Sequence, residues 1–519
     1  FPREWQSLGF ARMSGAGVLT GLKDLKPRRR MELVPYTAPS VVRDYDAGTP
    51  TKYHKDFGFD AKVGLTQSIN ADLTYKTDFA QVEADQEVVN TSRFSLFFPE
   101  KRQFFTESAG IFDYSMNSGS QTGPGLLTLF YSRRIGLQDG REVPLFGGAR
   151  ITGRAGHTTI GAMNIETDKT ATQSRANYSV LRVKHDVLGK SSVGLLFLNR
   201  YGGGMKTNQT IGVDGVFSLG KSLDWVVLAA KTHTPDVTDE DYAVATRAKF
   251  TTDKFDAGLT YVDIAAKFNA EMGFIPRTDI RNVVGQAAWT PRPKWRGVRQ
   301  LRFNVDTSYF ENHAGMKQSQ STGYDFSLTR QDSSIFSVSL DTQYDYLPFN
   351  WNTAGGTIPI GGYSWRFVKG SYTTNTSKRV YGSIRADHGG YYNGERRSLK
   401  VNWNITFGKT LLLEPNYTYN HVTLPGRPLY TSNVINFRVS HSFSPDFYLK
   451  AFVQYNDDRK TSSFNFLWWY HYRPGSDLYV VYNQGWDIDL PLTSREVLDR
   501  SYRVHSRSLA VKMTYWLAR

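Results

Sequence analysis

The side chains most able to do chemistry lie close together. Asp78, Glu83, Asp85, Glu87, Glu100 and Glu107 put six carboxylates into one stretch, with Arg93, Lys101 and Arg102 among them. Two carboxylates facing each other across a sugar ring could serve as the acid and base of glycoside hydrolysis. The same groups could instead pair with the neighbouring cations and pin a segment that folds inward, and structural pairing is the favoured reading. No nucleophile elbow, zinc-binding His-Glu-x-x-His or phosphate loop is present. The ten His are scattered. There are no Cys, which excludes disulfides, a thiol nucleophile and Cys-ligated metal. No catalytic residue, metal site or cofactor is expected, and the chain reads as a non-enzyme.

The elements that must position these groups are strands. From about Arg30 onward apolar residues recur with period two. Leu509, Val511, Met513, Tyr515 and Leu517 share one face; Phe447, Leu449, Ala451, Val453 and Tyr455 share another. Runs of about ten such residues match a tilted strand crossing hydrocarbon. Aromatics are 14% of the chain, yet mean hydropathy is −0.44. That mixture suits a wall with lipid on one side and water on the other. No run is long enough for a membrane helix.

Connection lengths separate a barrel from a sandwich. Ser444-Pro445-Asp446, Arg473 to Asp477, Phe407-Gly408-Lys409 and Leu219 to Ser222 are tight. Trp486 to Ser506, Leu424 to Ser432, Asp387 to Arg397, Pro348 to Tyr363 and Ala265 to Asp279 are longer. Alternation of short and long connections is the mark of a membrane barrel with short periplasmic turns. The expected fold is all-β: a single large transmembrane antiparallel β-barrel of about 26 strands (range about 22–28). Residues 1–28 are expected on the periplasmic side and 29–519 in the barrel. An irregular inward or periplasmic segment near residues 81–125 is the candidate plug or constriction. The opening Phe1-Pro2-Arg3 suggests a processed or truncated start.

Several stretches resemble a known family. They are Asp56 to Thr66, Asp78-Phe79-Ala80-Gln81-Val82-Glu83-Ala84-Asp85, Phe97-Phe98-Pro99-Glu100-Lys101-Arg102, Tyr131-Ser132-Arg133-Arg134-Ile135-Gly136, Gly273 to Asp279 and Tyr472 to Leu478. They resemble the uncharacterised outer-membrane-type β-barrel region that follows a family-nine carbohydrate-binding module in Gram-negative bacterial proteins. The resemblance spans roughly residue 30 to the end. It implies location in the bacterial outer membrane and, through the attached module, a carbohydrate connection. It implies no catalytic residue.

The formal charge of +15 fits a lumen that favours anions, or loops that meet lipid phosphates. Nucleic acid is disfavoured, because the aromatics follow strand period and the basic residues are dispersed. Trp468, Trp469, Tyr470, Tyr515 and Trp516 are candidate lipid-interface aromatics; sugar stacking is the other reading of the Trp468–Tyr470 cluster. The expected role is a channel or transporter for polar or anionic solutes, with glycans included. Its expected partners are outer-membrane lipid and lipopolysaccharide. The alternative is a membrane scaffold that anchors a periplasmic carbohydrate-binding module or partner protein; a glycan hydrolase ranks below both.

Overall fold

The structure, a computed structural model, describes residues 31–46, 48, 50–76, 85–90, 92–114, 125–138, 141–170, 174–353, 356–426, 429–488 and 502–518. Asp78, Glu83 and the N-terminal segment 1–28 lie outside the described residues.

Twenty-four antiparallel strands form one closed sheet. Each pairs with its sequence neighbour, and the first (Met31–Asp44) closes the ring against the last (Tyr502–Thr514). A two-residue strand, Leu517–Ala518, adds to the first strand beyond that closure. The wall strands run from 7 to 15 residues. A closed ring leaves no edge with unpaired backbone groups.

The count is 24, not about 26. The difference lies between Tyr75 and Leu145. Strand Ile69–Tyr75 pairs directly with strand Leu145–Ala155, so the described residues between them add no strand to the wall.

The two faces of the wall differ in chemistry. Arg150 is 2% exposed while its neighbour Ile151 is 40% exposed; Arg182 is 1% exposed beside Leu181 at 39%. Asp72 and Leu73, and Gln454 and Val453, split the same way. Alternation sends successive side chains to opposite faces. Polar groups therefore meet the interior, and large apolar groups such as Phe57, Leu195, Trp225, Leu259, Val305 and Leu340 stand exposed outside.

Connection length follows parity at most positions, with 290–297 a longer exception at the tight end. At one end the turns are tight, as at Gly156-His157, Pro445-Asp446 and Pro474-Gly475; the other end carries 168–175, 234–241, 265–279 and 348–360. Residues 76–144 leave from this second end. Asp387 to Arg397, expected as a long connection, is instead two paired strands, Val380–Tyr391 and Gly394–Phe407, joined by a two-residue turn. Tyr392 there takes a left-handed φ of 52°.

Candidate functional site

The described residues between Asp85 and Gly136 (85–90, 92–114 and 125–136) run through the barrel interior. Their contacts reach strands on opposite sides of the ring, and a segment can do this in a closed cylinder only by crossing it. The path extends beyond the expected limit of 125, through Ile135 and Gly136.

One flank is packed. Phe105, Phe112, Tyr114, Leu127, Leu129 and Ile135 form a buried cluster with wall residues such as Met163, Ile165, Leu196, Leu198, Leu228 and Ile264. Gly161 and Gly212 lie where the segment comes nearest. A Cβ at Gly161 would sit 2.7 Å from Ile111 Cγ2; one at Gly212 would sit 2.9 Å from Tyr114 Cζ. Only a bare backbone lets the segment seat there. The Tyr114 hydroxyl lies 2.8 and 2.9 Å from the carbonyl oxygens of Val213 and Ala229. Burial pushes the pKa of Tyr114 and Tyr131 upward, so both remain protonated donors.

Wall cations tie this flank down. Arg150 Nη2 lies 2.8 Å from Asp72 Oδ2 and 3.1 Å from Glu107 Oε2, and its Nη1 donates to the carbonyls of Phe104 and Glu107. Lys62 Nζ meets Glu107 Oε1 at 2.8 Å. Arg182 donates to Asp214 at 2.8 Å and to the Asp113 carbonyl at 3.3 Å.

A second set of bonds joins the segment to itself. Glu100 Oε1 accepts from the backbone N–H groups of Lys101 and Arg102 at 3.0 and 2.9 Å and from Arg102 Nε at 2.9 Å. Glu100 Oε2 accepts from Arg102 Nη2 and Ser132 Oγ, both at 2.7 Å. Arg102 then donates to the carbonyls of Ile135 and Ser132, each at 2.7 Å. Asp85 pairs with Lys101 at 3.1 Å and with Arg133. Phe97 packs on Tyr131 and Phe274, with ring centres 4.8 and 5.4 Å apart. Four of the stretches that carry the family resemblance therefore meet here: the ends of Asp78–Asp85, Phe97–Arg102, Tyr131–Gly136 and Gly273–Asp279.

The far flank is tethered by fewer, polar contacts. Arg93 binds Asp345 through Nε and Nη2 at 3.2 and 3.1 Å. The Glu87 backbone N–H donates to Gln454 at 2.7 Å, and Gln454 returns a bond to the Asp85 carbonyl at 3.1 Å. The Glu87 carboxylate accepts from Asn456 and Arg459 at 3.1 and 3.2 Å. Between segment and wall lie two spaces. One of about 780 Å³ is lined by Asp85, Leu96, Phe98, Lys101 and Arg438; the other, about 590 Å³, lies between Phe94 and Arg277 on one side and Trp365 and Tyr392 on the other.

The carboxylates of this arrangement are answered by cations. Burial works to raise the pKa of Glu100 and of Glu107, but Arg102 at the first, and Lys62 and Arg150 at the second, outweigh it and hold both carboxyls below the ordinary value. A glycosidase acid needs the opposite shift. Among the described residues no cluster of His, Asp and Glu is built to hold a metal ion.

The aromatic candidates divide. By register with the inward Gln454, Trp469 faces the interior, where its Nε1 donates to Asp477 at 2.8 Å; Trp468 and Tyr470 face outward with Leu449 and Phe447. Tyr515 is exposed and stacks against Arg473, while Trp516 covers Gly475 in a tight turn. Sequence reading did not single out the wall partners Asp72, Arg150, Arg182 and Asp214. Their signal was a charged residue between exposed apolar ones in strand period.

Residues 27–145 match the family described as "Domain of unknown function (DUF5916)". That match covers the first three wall strands and the insertion, and ends at the first residue of the strand that follows; nothing in it points to a family-nine carbohydrate-binding module. No curated protein matches the sequence. Among solved structures, the chain is similar to OpdK of Pseudomonas aeruginosa, crystallised with vanillate, at 9% identity and a TM-score of 0.33, covering 95% of this chain and 99% of that one. It is also similar to the siderophore receptor PirA of the same organism (9% identity, TM-score 0.37, 95% and 81% covered). A third is FpvA of P. aeruginosa bound to heterologous pyoverdines (7% identity, TM-score 0.42, 93% and 72% covered).

Proposed function

We propose that the chain is an outer-membrane channel that passes small polar or anionic solutes, with residues 85–136 as its internal constriction. The apolar exterior supports a lipid setting, with outer-membrane lipid and lipopolysaccharide as its surroundings. A barrel this wide must be filled or open. The observation that carries the reading is the asymmetry of the filling: the segment is packed against one flank and leaves two spaces, of about 780 and 590 Å³, toward the other. The net charge of +15 favours anions among the solutes.

Planar-bilayer recording of the purified barrel tests this. Wild type is expected to conduct, with anion preference. Deleting residues 81–116 is expected to raise conductance, and so is Arg93→Gln, which cuts one far-flank tether and leaves the packed flank intact. A barrel silent in all three forms overturns the channel and makes it an anchor for a periplasmic partner.

A further inference from the structure

We propose that the space beside Arg277 is a binding site for a small organic anion with a flat apolar body, an aromatic carboxylate being the fitting class. The inference deepens the channel reading by naming a solute class. Its basis is a cation without an answering charge. Arg277 lies on the 265–279 connection, and its Nη1 donates to Ser319 Oγ at 2.7 Å. Its other close contacts are rings: Phe94 at 4.7 Å and Phe310 at 4.2 Å from the guanidinium carbon. Among the described residues no carboxylate comes within ion-pairing distance of it. The other charges around the space are matched. Asp345 is held by Arg93 and by the Tyr392 hydroxyl at 3.0 Å, and Arg396 meets Asp387 at 2.8 Å. Burial, with Arg93 nearby, lowers the Arg277 pKa to about 10 against the longer-range attraction of Asp345, which Arg93 already pairs.

The walls specify the rest of the ligand. Phe94, Phe97, Phe310, Trp365, Phe367 and Tyr392 line the space, with Ser319, Gln320 and Gln343 as neutral hydrogen-bonding groups. Its volume of about 590 Å³ is typical of small-molecule sites. A carboxylate would meet the guanidinium through charge-assisted bonds, and a ring would lie against the aromatic walls. An aliphatic anion answers the charge and leaves the rings bare; a neutral ring does the reverse.

Calorimetric titration of the full barrel in detergent tests the site with benzoate, acetate, benzyl alcohol and glucuronate. Benzoate is expected to bind at least about tenfold more tightly than each of the others. Arg277→Gln is expected to cost benzoate about tenfold or more and Arg277→Lys less, while Phe310→Ala weakens benzoate and leaves acetate unchanged. Unchanged thermal unfolding of each variant shows that the site alone is altered. Equal binding of glucuronate would assign the site to acidic sugars and overturn the ring class; an Arg277→Gln barrel that binds benzoate like wild type would overturn the site. The titration needs no ion flow. A barrel that binds benzoate but never conducts keeps the site and loses the channel; one that conducts and ignores benzoate does the reverse.

Discussion

The two flanks of the barrel interior hold the same segment by different physics. Toward strands between Leu145 and Trp289, contact is made by a continuous apolar cluster with buried ion pairs at its margin. Toward Asp345, Asn436, Gln454 and Asn456 it is made by separate polar bonds around open space. Apolar packing gains from every atom and resists partial release, whereas a polar tether can exchange with water at small net cost. The packed flank therefore acts as the seat, and on the proposed channel reading the tethered flank is where a passage would widen.

Breaking the seat should have the largest effect. Arg182→Ala leaves the buried Asp214 carboxylate without its partner and is expected to cost about 3–5 kcal/mol, read as a lowered thermal midpoint in detergent. A barrel indifferent to this change would mean that the packed flank does not hold the fold. The bond within the segment should matter less. Glu100→Ala removes the acceptor that joins Arg102 to Ser132 and is expected to cost about 1–3 kcal/mol. The pH dependence follows from sign. Both Glu100 and Glu107 titrate below the ordinary 4.5, so the stability they give is full above that value and is lost as pH falls through their lower folded values. Protease sensitivity of the segment should accordingly rise only in acid, and a rise at neutral or alkaline pH would contradict the assignment. The smallest effect on stability belongs to the tether: Gln454→Ala is expected to cost about 0.5–1.5 kcal/mol, yet to raise conductance more than Arg182→Ala does. Reversal of that order would abolish the distinction between seat and tether.

Much of the wall was legible in the sequence because strand period reports on faces directly. Leu509 and Met513 stand exposed outside, as their alternation with Ala510 and Lys512 implies. The tight turns at Pro445 and Pro474 were legible because proline and glycine announce them. Asp387 to Arg397 misled: Gly389, Gly390 and Gly394 read as a loop, but the strands pair through Tyr391 and Gly394, and Tyr392 makes the turn. The strand count ran high because residues 76–144 have the length of several strands but not their period. Within the site, Asp85, Glu100, Glu107 and Arg93 were legible as pairing groups from their density. The local pairs, Glu100 with Arg102 and Asp85 with Lys101, were within reach of that reading; the wall partners of Glu107 and Arg93 were not. Arg150 and Asp345 lie far along the chain from their partners, and only closure of the ring brings them near.

Because Ile69–Tyr75 and Leu145–Ala155 hydrogen-bond directly, from Ile69 opposite Gly153 to Tyr75 opposite Gly147, the interior segment hangs as a pendant from a seam that is already sewn. The hoop of strands is closed there by backbone hydrogen bonds, although the chain itself passes through the segment. Such a graft point lets the contents of the bore change in length and chemistry while the staves around it keep their register.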